Sequence, residues 1–174
     1  MGKNSKADRF DDVDLQILER LESDHELNLA ELSEEIGLSK SAIHYRLNNL
    51  KDDGVITGMS ADLDPTRFGL EMLVLTEVYV THESGYAEDT GEKLAEVAGV
   101  TDVYYTMGDV DFIVRFRAQS RDQINETINQ LIDIDGVNET SSTFVMDEIK
   151  SDGRVLANMS EEMRENVRAD GDSG

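Results

Sequence analysis

Residues 28–50 read Asn28-Leu29-Ala30-Glu31-Leu32-Ser33-Glu34-Glu35-Ile36-Gly37-Leu38-Ser39-Lys40-Ser41-Ala42-Ile43-His44-Tyr45-Arg46-Leu47-Asn48-Asn49-Leu50. This is the pattern of two short helices broken by one glycine. Asn28 and Glu31 form a capping pair for the first, which turns Leu29, Leu32 and Ile36 to one side. Gly37 ends it, because a left-handed residue after a helix is easiest for glycine. Ser39 caps the second helix, whose Ile43, Leu47 and Leu50 recur at helical spacing. Leu32, Ile36, Leu38 and Ile43 fall where the pair must pack, and Ser33 supplies the small side chain needed at the closest approach. With the apolar stripe inward, Lys40, Ser41, His44, Tyr45, Asn48 and Asn49 remain outside. Hydrogen-bonding residues on such a face, dense near the helix N-terminus and joined by the cap Ser39, suit entry into a DNA major groove. Arg46, beside the buried stripe, is positioned to reach a phosphate.

Upstream, Asp12 caps a further helix with Leu15, Leu18 and Leu21 inward; downstream, Gly54 closes the third helix. Val55-Ile56 and residues 60–63, on either side of Gly58, predict a small hairpin. The region around Pro65 is a turn. From Leu70 the period changes from 3.6 to 2: Met72, Val74, Thr76, Val78 and Val80 alternate with Leu73, Leu75, Glu77, Tyr79 and Thr81, which predicts a long strand. A helix over 86–97, strands over 101–106 and 111–117, a helix opened by the cap Ser120, and a strand over 140–150 complete the order βαββαβ. That order implies a four-stranded antiparallel sheet with two helices on one face, the ferredoxin-like plan. Gly99-Val100 and Gly136-Val137 repeat at an offset of 37 residues, each leaving a helix and entering a strand. The expected domains are 1–66, including an N-terminal arm with Lys3, Lys6 and Arg9, then 67–150, then a polar segment 151–174. The last carries only a weak helical pattern at Met159, Met163 and Val167 and is expected to be a mobile tail or, as the alternative, a short docked helix.

Composition narrows the function. At 174 residues and 39% hydrophobic, the chain can build cores for one or two small domains, and is too periodic for a disordered acidic polymer. Its net charge of −22 excludes a non-specific polyanion binder, which would carry a basic stripe. The acidic residues are spread along the chain rather than gathered in a tail, as in a cytosolic protein from a salt-rich cell; a merely acidic mesophilic protein is the alternative. With no cysteine, thiolate metal sites, redox pairs and cysteine nucleophiles are excluded. No leader-like or membrane-length apolar run is present, so a soluble, cytoplasmic protein is expected.

The residues quoted so far resemble the Lrp/AsnC family of prokaryotic transcription regulators. The likeness runs through 14–21, 32–39, Arg46-Leu47, Leu50, Gly54-Val55-Ile56, Ala61-Asp62-Leu63-Asp64-Pro65 and Phe68-Gly69. It continues at Gly108-Asp109-Val110-Asp111, Gly136-Val137, Thr143, Val145 and Ile149-Lys150. The resemblance implies an α+β protein with an N-terminal winged helix-turn-helix and a C-terminal ferredoxin-like domain for effector binding and oligomerisation. It implies double-stranded DNA with a pseudo-palindromic operator as partner, and a homodimer that assembles into octamers or other multiples. With the acidic composition, a halophilic archaeal source is expected.

Two departures from the family pattern stand out. Tyr45, Asn48 and Asn49 replace the recognition helix's usual basic residues, and residues 1–64 hold 7 Lys and Arg against 15 Asp and Glu, a net of −8. Val110 stands where the family's glycine loop usually has an aromatic. The loop itself is the candidate effector site. Gly108 lets backbone N–H groups approach a ligand carboxylate, and Asp109 or Asp111 offers a partner to an ammonium, so an amino acid is the expected ligand. Thr143 on the last strand is an added polar candidate, and a plain hairpin turn is the alternative.

No catalytic residue, cofactor or metal is expected. His25, His44 and His82 fall on separate elements, there is no H-E-x-x-H motif or serine elbow, and Asp109-x-Asp111 lacks the other ligands of a calcium loop. The competing readings are a sirohaem-decarboxylase-like enzyme on the same fold, which needs His and Arg in the second domain's cleft, and an effector-binding module without DNA binding.

Overall fold

The computed structural model describes residues 10–23, 28–81 and 86–169. Lys3, Lys6, Arg9, His25 and His82 lie outside the described residues. The chain divides into two compact units, Met1–Asp62 with Ser151–Gly174, and Leu63–Lys150. The first junction falls a few residues before the expected boundary at 66. Residues 151–169 are not a detached tail: they belong to the first unit.

That unit contains α1 (Asp12–Ser23), α2 (Leu29–Ile36) and α3 (Lys40–Asp52). Its core is Ile17, Leu32, Ile43, Leu47 and Leu50, with Leu18, Leu21, Leu29, Ile36 and Leu38 packed around it. Ile17, absent from the predicted Leu15-Leu18-Leu21 face, is fully buried at the centre. Asp11, not Asp12, caps α1: its Oδ1 accepts from the Asp14 N–H at 2.8 Å. Asn28 Oδ1 accepts from Ala30 N–H at 2.9 Å, and Asn28 Nδ2 donates to Glu31 at 3.2 Å. Gly37 takes φ 75°, and the Gly37 and Leu38 N–H groups both return to the Ser33 carbonyl. Ser33 Oγ donates to the Leu38 carbonyl at 2.5 Å, so the small residue at the turn also closes it.

The predicted hairpin over 55–63 does not form. Val55 and Ile56 tuck against the core, and every residue from 57 to 64 is exposed without strand pairing. An isolated two-stranded ribbon needs an apolar face to rest on, and this segment has none.

The second unit opens with a 3₁₀ turn (Pro65–Phe68) and continues as β1 (Met72–Val80), α4 (Tyr86–Glu96), β2 (Val100–Tyr105), β3 (Phe112–Ala118), α5 (Arg121–Ile132) and β4 (Val137–Phe144). The sheet is antiparallel in the order β2-β3-β1-β4. Val74, Val78 and Val80 of β1 pack with Phe112, Val114 and Phe116 of β3, Leu94 of α4, and Ile124 and Leu131 of α5. The repeat has a structural counterpart. Gly99 and Gly136 both have positive φ, 89° and 95°, and each is bracketed by the same pair of turn hydrogen bonds. β4 starts and ends earlier than predicted. Its partner β1 begins at Met72, so beyond Phe144 the Val145 N–H still reaches the Leu73 carbonyl, and the chain then leaves the sheet.

Candidate functional site

α3 is set by its cap and its core. Ser39 Oγ accepts from the Ala42 N–H at 3.2 Å, and Ile43, Leu47 and Leu50 are buried. The opposite face carries Lys40, Ser41, His44, Tyr45, Asn48 and Asn49, all exposed, with Tyr45 at 67%. Ser39 is exposed beside them. His44 Nδ1 and Asn48 Nδ2 lie 3.2 Å apart, one helical turn along this face.

Arg46 Nη1 donates to Asp11 Oδ2 at 2.7 Å and to Asp14 Oδ1 at 2.8 Å, so the guanidinium fastens α3 to the start of α1. The hydrogen bonds to Asp14 and Asp11 hold the Arg46 pKa above its ordinary value. Burial pushes the Asp11 carboxyl up, but the Asp14 N–H and the Arg46 guanidinium outweigh it, and the net shift is downward. A groove of about 740 Å³ beside α3 is lined by Phe10, Tyr45, Arg46 and Asn49, with Asp14 and Asp53 among its walls. Sequence reasoning missed Asp11 and Asp14; their signal was a pair of acids at the start of one helix facing a lone arginine on another.

In the second unit the β2–β3 loop is closed by its own groups. The Thr106 N–H donates to the Asp111 carbonyl at 2.9 Å, and the Thr106 hydroxyl donates to the Val110 carbonyl. Asp111 is buried, and its Oδ2 accepts from the Val80 N–H at 2.9 Å. It therefore supports β1, and of the two acids expected to offer a partner to an ammonium, Asp109 is the exposed one. Gly108 and Asp109 are exposed and Val110 is half-buried. Thr143 is not brought to this loop within the chain. It pairs with Leu75, five residues along β1 from Val80, roughly 17 Å at ~3.4 Å per residue.

The sheet face away from the helices carries Leu73, Leu75, Glu77 and Tyr79 of β1, not the Met72 series. It is not purely apolar. Arg115 Nε donates to Asp102 at 2.6 Å, and Glu148 pairs with Arg117 and, at 3.9 Å, with Arg115. Burial raises the Asp102 carboxyl, yet hydrogen bonds from Thr101, Arg115 and Tyr104 bring it below its usual value.

Two family descriptions match this chain: "Winged helix-turn-helix DNA-binding" over residues 10–57 and "Lrp/AsnC ligand binding domain" over residues 73–155. The HTH-type transcriptional regulator FL11 of Pyrococcus furiosus is 31% identical over 137 residues, covering 79% of this chain and 89% of the relative. The chain belongs to the Lrp/AsnC family. It is a transcription regulator with a DNA-binding helix-turn-helix and a ligand-binding domain. The proline dehydrogenase transcriptional activator of Rhizobium radiobacter is 28% identical, covering 88% of this chain and 99% of the relative. Among solved structures, the transcriptional regulator NMB0573 of Neisseria meningitidis, in complex with L-Met, aligns with TM-score 0.79 at 25% identity. The match covers 86% of this chain and 97% of that one. The winged type of the helix-turn-helix is thus carried by the family match, although residues 57–64 form no strand pair.

Among the described residues no group of three or more His, Asp or Glu side chains is placed to hold a metal ion. No described helix is long and apolar enough to cross a membrane.

Proposed function

We propose that this Lrp/AsnC regulator reads a pseudo-palindromic operator with the outer face of α3, as a homodimer joined through the sheet unit. The observation that carries this is the sorting of α3 itself: Ile43, Leu47 and Leu50 are inside, and Lys40, Ser41, His44, Tyr45, Asn48 and Asn49 are outside. Ser41 and His44 read base edges, Asn48 holds the His44 ring, Lys40 and the Ser39 hydroxyl meet the backbone, and Tyr45 and Asn49 extend the contact. Arg46 acts indirectly, as the anchor of α3. The uncovered sheet face, with Leu75 partly exposed, is the dimer surface, and dimers assemble further into multiples such as octamers.

The effector is a small amino-acid-type metabolite at the 106–111 loop, contacted by Gly108 and Asp109. Val110 replaces an aromatic contact there, and Thr143 takes part only if a neighbouring subunit supplies it. That the neighbour NMB0573 was solved with L-Met supports this ligand class. The −22 charge supports a protein working in a salt-rich cytoplasm, where a Debye length of ~3 Å at 1 M screens its self-repulsion.

The test is selection from a random duplex pool, in molar KCl, followed by sequencing. A two-fold-related motif with half-sites about one helical turn apart, or a multiple of that, is expected. Recovery of no motif from folded protein, or of a motif without dyad symmetry, would refute the reading. Light scattering should return at least a dimer.

A further inference from the structure

α1 is covered on two opposite sides, and only one of them is the helix-turn-helix core. At 100° per residue, Val13, Ile17 and Leu21 form the stripe that faces Leu32, Ile43 and Leu47. Asp12, Leu15, Glu19 and Glu22, spaced three and four apart, form a second stripe roughly opposite. Leu15 is 8% exposed, although it does not belong to the core cluster. What lies along this second stripe is the C-terminal segment.

The contacts run the length of the helix. Both Glu22 carboxylate oxygens accept from consecutive backbone N–H groups: Val155 at 2.6 Å, Leu156 at 2.9 Å and Ala157 at 3.2 Å. These open a 3₁₀ turn (Leu156–Asn158) in which Leu156 is buried. α6 (Glu161–Val167) follows, capped by Ser160. Arg164 pairs with Glu19 and donates to the Leu156 carbonyl at 2.7 Å, which ties α6 to the turn and both to α1. Arg168 meets Asp12 at 2.9 Å. The Phe10 N–H donates to the Val167 carbonyl and the Ala169 N–H to the Phe10 carbonyl, both at 2.8 Å, so residue 10 becomes one rung of a parallel bridge.

Phe10 is the residue before Asp11. Fixing Phe10 and Asp12 from the C-terminal side fixes the start of α1, where Asp11 and Asp14 grip Arg46. We infer that residues 155–169 form a clasp that positions the recognition helix: the clasp orders Phe10 to Asp14, and the two aspartates in turn hold α3 through Arg46. Apart from Val155 itself, the clasp lies past the residues matched by either family description. Its link to DNA rests on the function proposed above; the link from clasp to α1 and α3 does not.

The experiment uses the full chain and a charge reversal. Arg164→Glu should speed amide hydrogen exchange at least tenfold in residues 10–18 and a few-fold in α3, with the sheet unit unchanged. Adding Glu19→Arg should restore protection by re-forming the pair in the opposite sense. Unchanged exchange in residues 10–18, or acceleration spread equally over β1 and β3, overturns the clasp; so does a double variant that stays unprotected. Should Arg164→Glu fail to fold, Arg168→Ala, which leaves the Glu22 cap and Leu156 in place, decides by the same two segments.

A second arm, on the duplex recovered by selection, asks whether the effect passes through Arg46. Arg164→Glu should weaken binding several-fold in the parent chain and add nothing in an Arg46→Ala background. Full additivity would overturn the Arg46 route while leaving the exchange result to judge the clasp. If no duplex is recovered, the DNA-binding reading fails and the exchange arm still stands.

Discussion

α3 and the β2–β3 loop are both short polar segments between apolar neighbours, yet the fold treats their side chains in opposite ways. On α3 the core takes Ile43, Leu47 and Leu50, and the polar side chains other than Arg46 are left facing outward. In the loop, Thr106 and Asp111 close the turn and support β1, so that of its polar side chains only Asp109 remains well exposed, beside Met107 and Gly108. Polarity in a sequence therefore marks a site only when the scaffold does not need the polar atoms for itself. A helix satisfies its own backbone and releases its side chains; a tight turn beside a strand end draws on them.

The contrast can be broken most directly at Asp111. Asp111→Ala leaves the Val80 N–H buried without its acceptor and should destabilise the protein by about 1–3 kcal/mol, read as a lowered thermal midpoint. Asp109→Ala, at an exposed position, should stay within about 0.5 kcal/mol of the parent. Equal effects at the two positions would erase the difference between them. On α3 the expectation is inverted. His44→Ala should leave stability almost untouched and lose about 1–3 kcal/mol of discrimination at particular base pairs, seen as a flattened motif in selection.

A smaller effect belongs to Ser39→Ala, which removes the α3 cap at about 1 kcal/mol; Ser39→Asp should retain most of the stability, because a carboxylate also caps. Arg46→Ala is expected to cost no more than the cap, about 0.2–1 kcal/mol, as its ion pairs are partly exposed. It sharpens the comparison through pH. The folded Asp11 pKa is depressed, so its contribution is fully present above the ordinary carboxylate value of about 3.9 and is lost as pH falls through the lower folded value. Denaturant midpoints of parent and Arg46→Ala should therefore differ near neutral pH and converge in acid.

How much of this was legible in the sequence follows from the range of the interactions. The α2–α3 pair, its caps and its exposed residues could be read from residues 28–54 alone, because helical spacing and capping act within a few residues. The βαββαβ order of elements followed from the switch to alternation at Leu70, with the Gly-Val repeat in support. Errors gathered where a distant partner decides. Ile17 outranks Leu15 because α1 has two covered sides, and β4 stops at Phe144 because β1 begins at Met72. The Asp11 and Asp14 partners of Arg46 were missed because they are more than thirty positions away. The C-terminal segment looked like a loose tail because its partners, Asp12, Glu19 and Glu22, lie at the other end of the chain. Only the acids recurring at three and four along α1 hinted at it.

The central claim is that α3's outer face, and not the remaining polar surface, reads DNA. Fluorescence anisotropy on the selected duplex and on a scrambled duplex, in tenth-molar and molar KCl, measures this for the parent, His44→Ala, Ser41→Ala and Asp109→Ala, with circular dichroism confirming the fold. The account predicts that the parent and Asp109→Ala prefer the selected duplex at both salt concentrations, and that His44→Ala and Ser41→Ala lose much of that preference while staying folded. Undiminished preference in both α3 variants would contradict it.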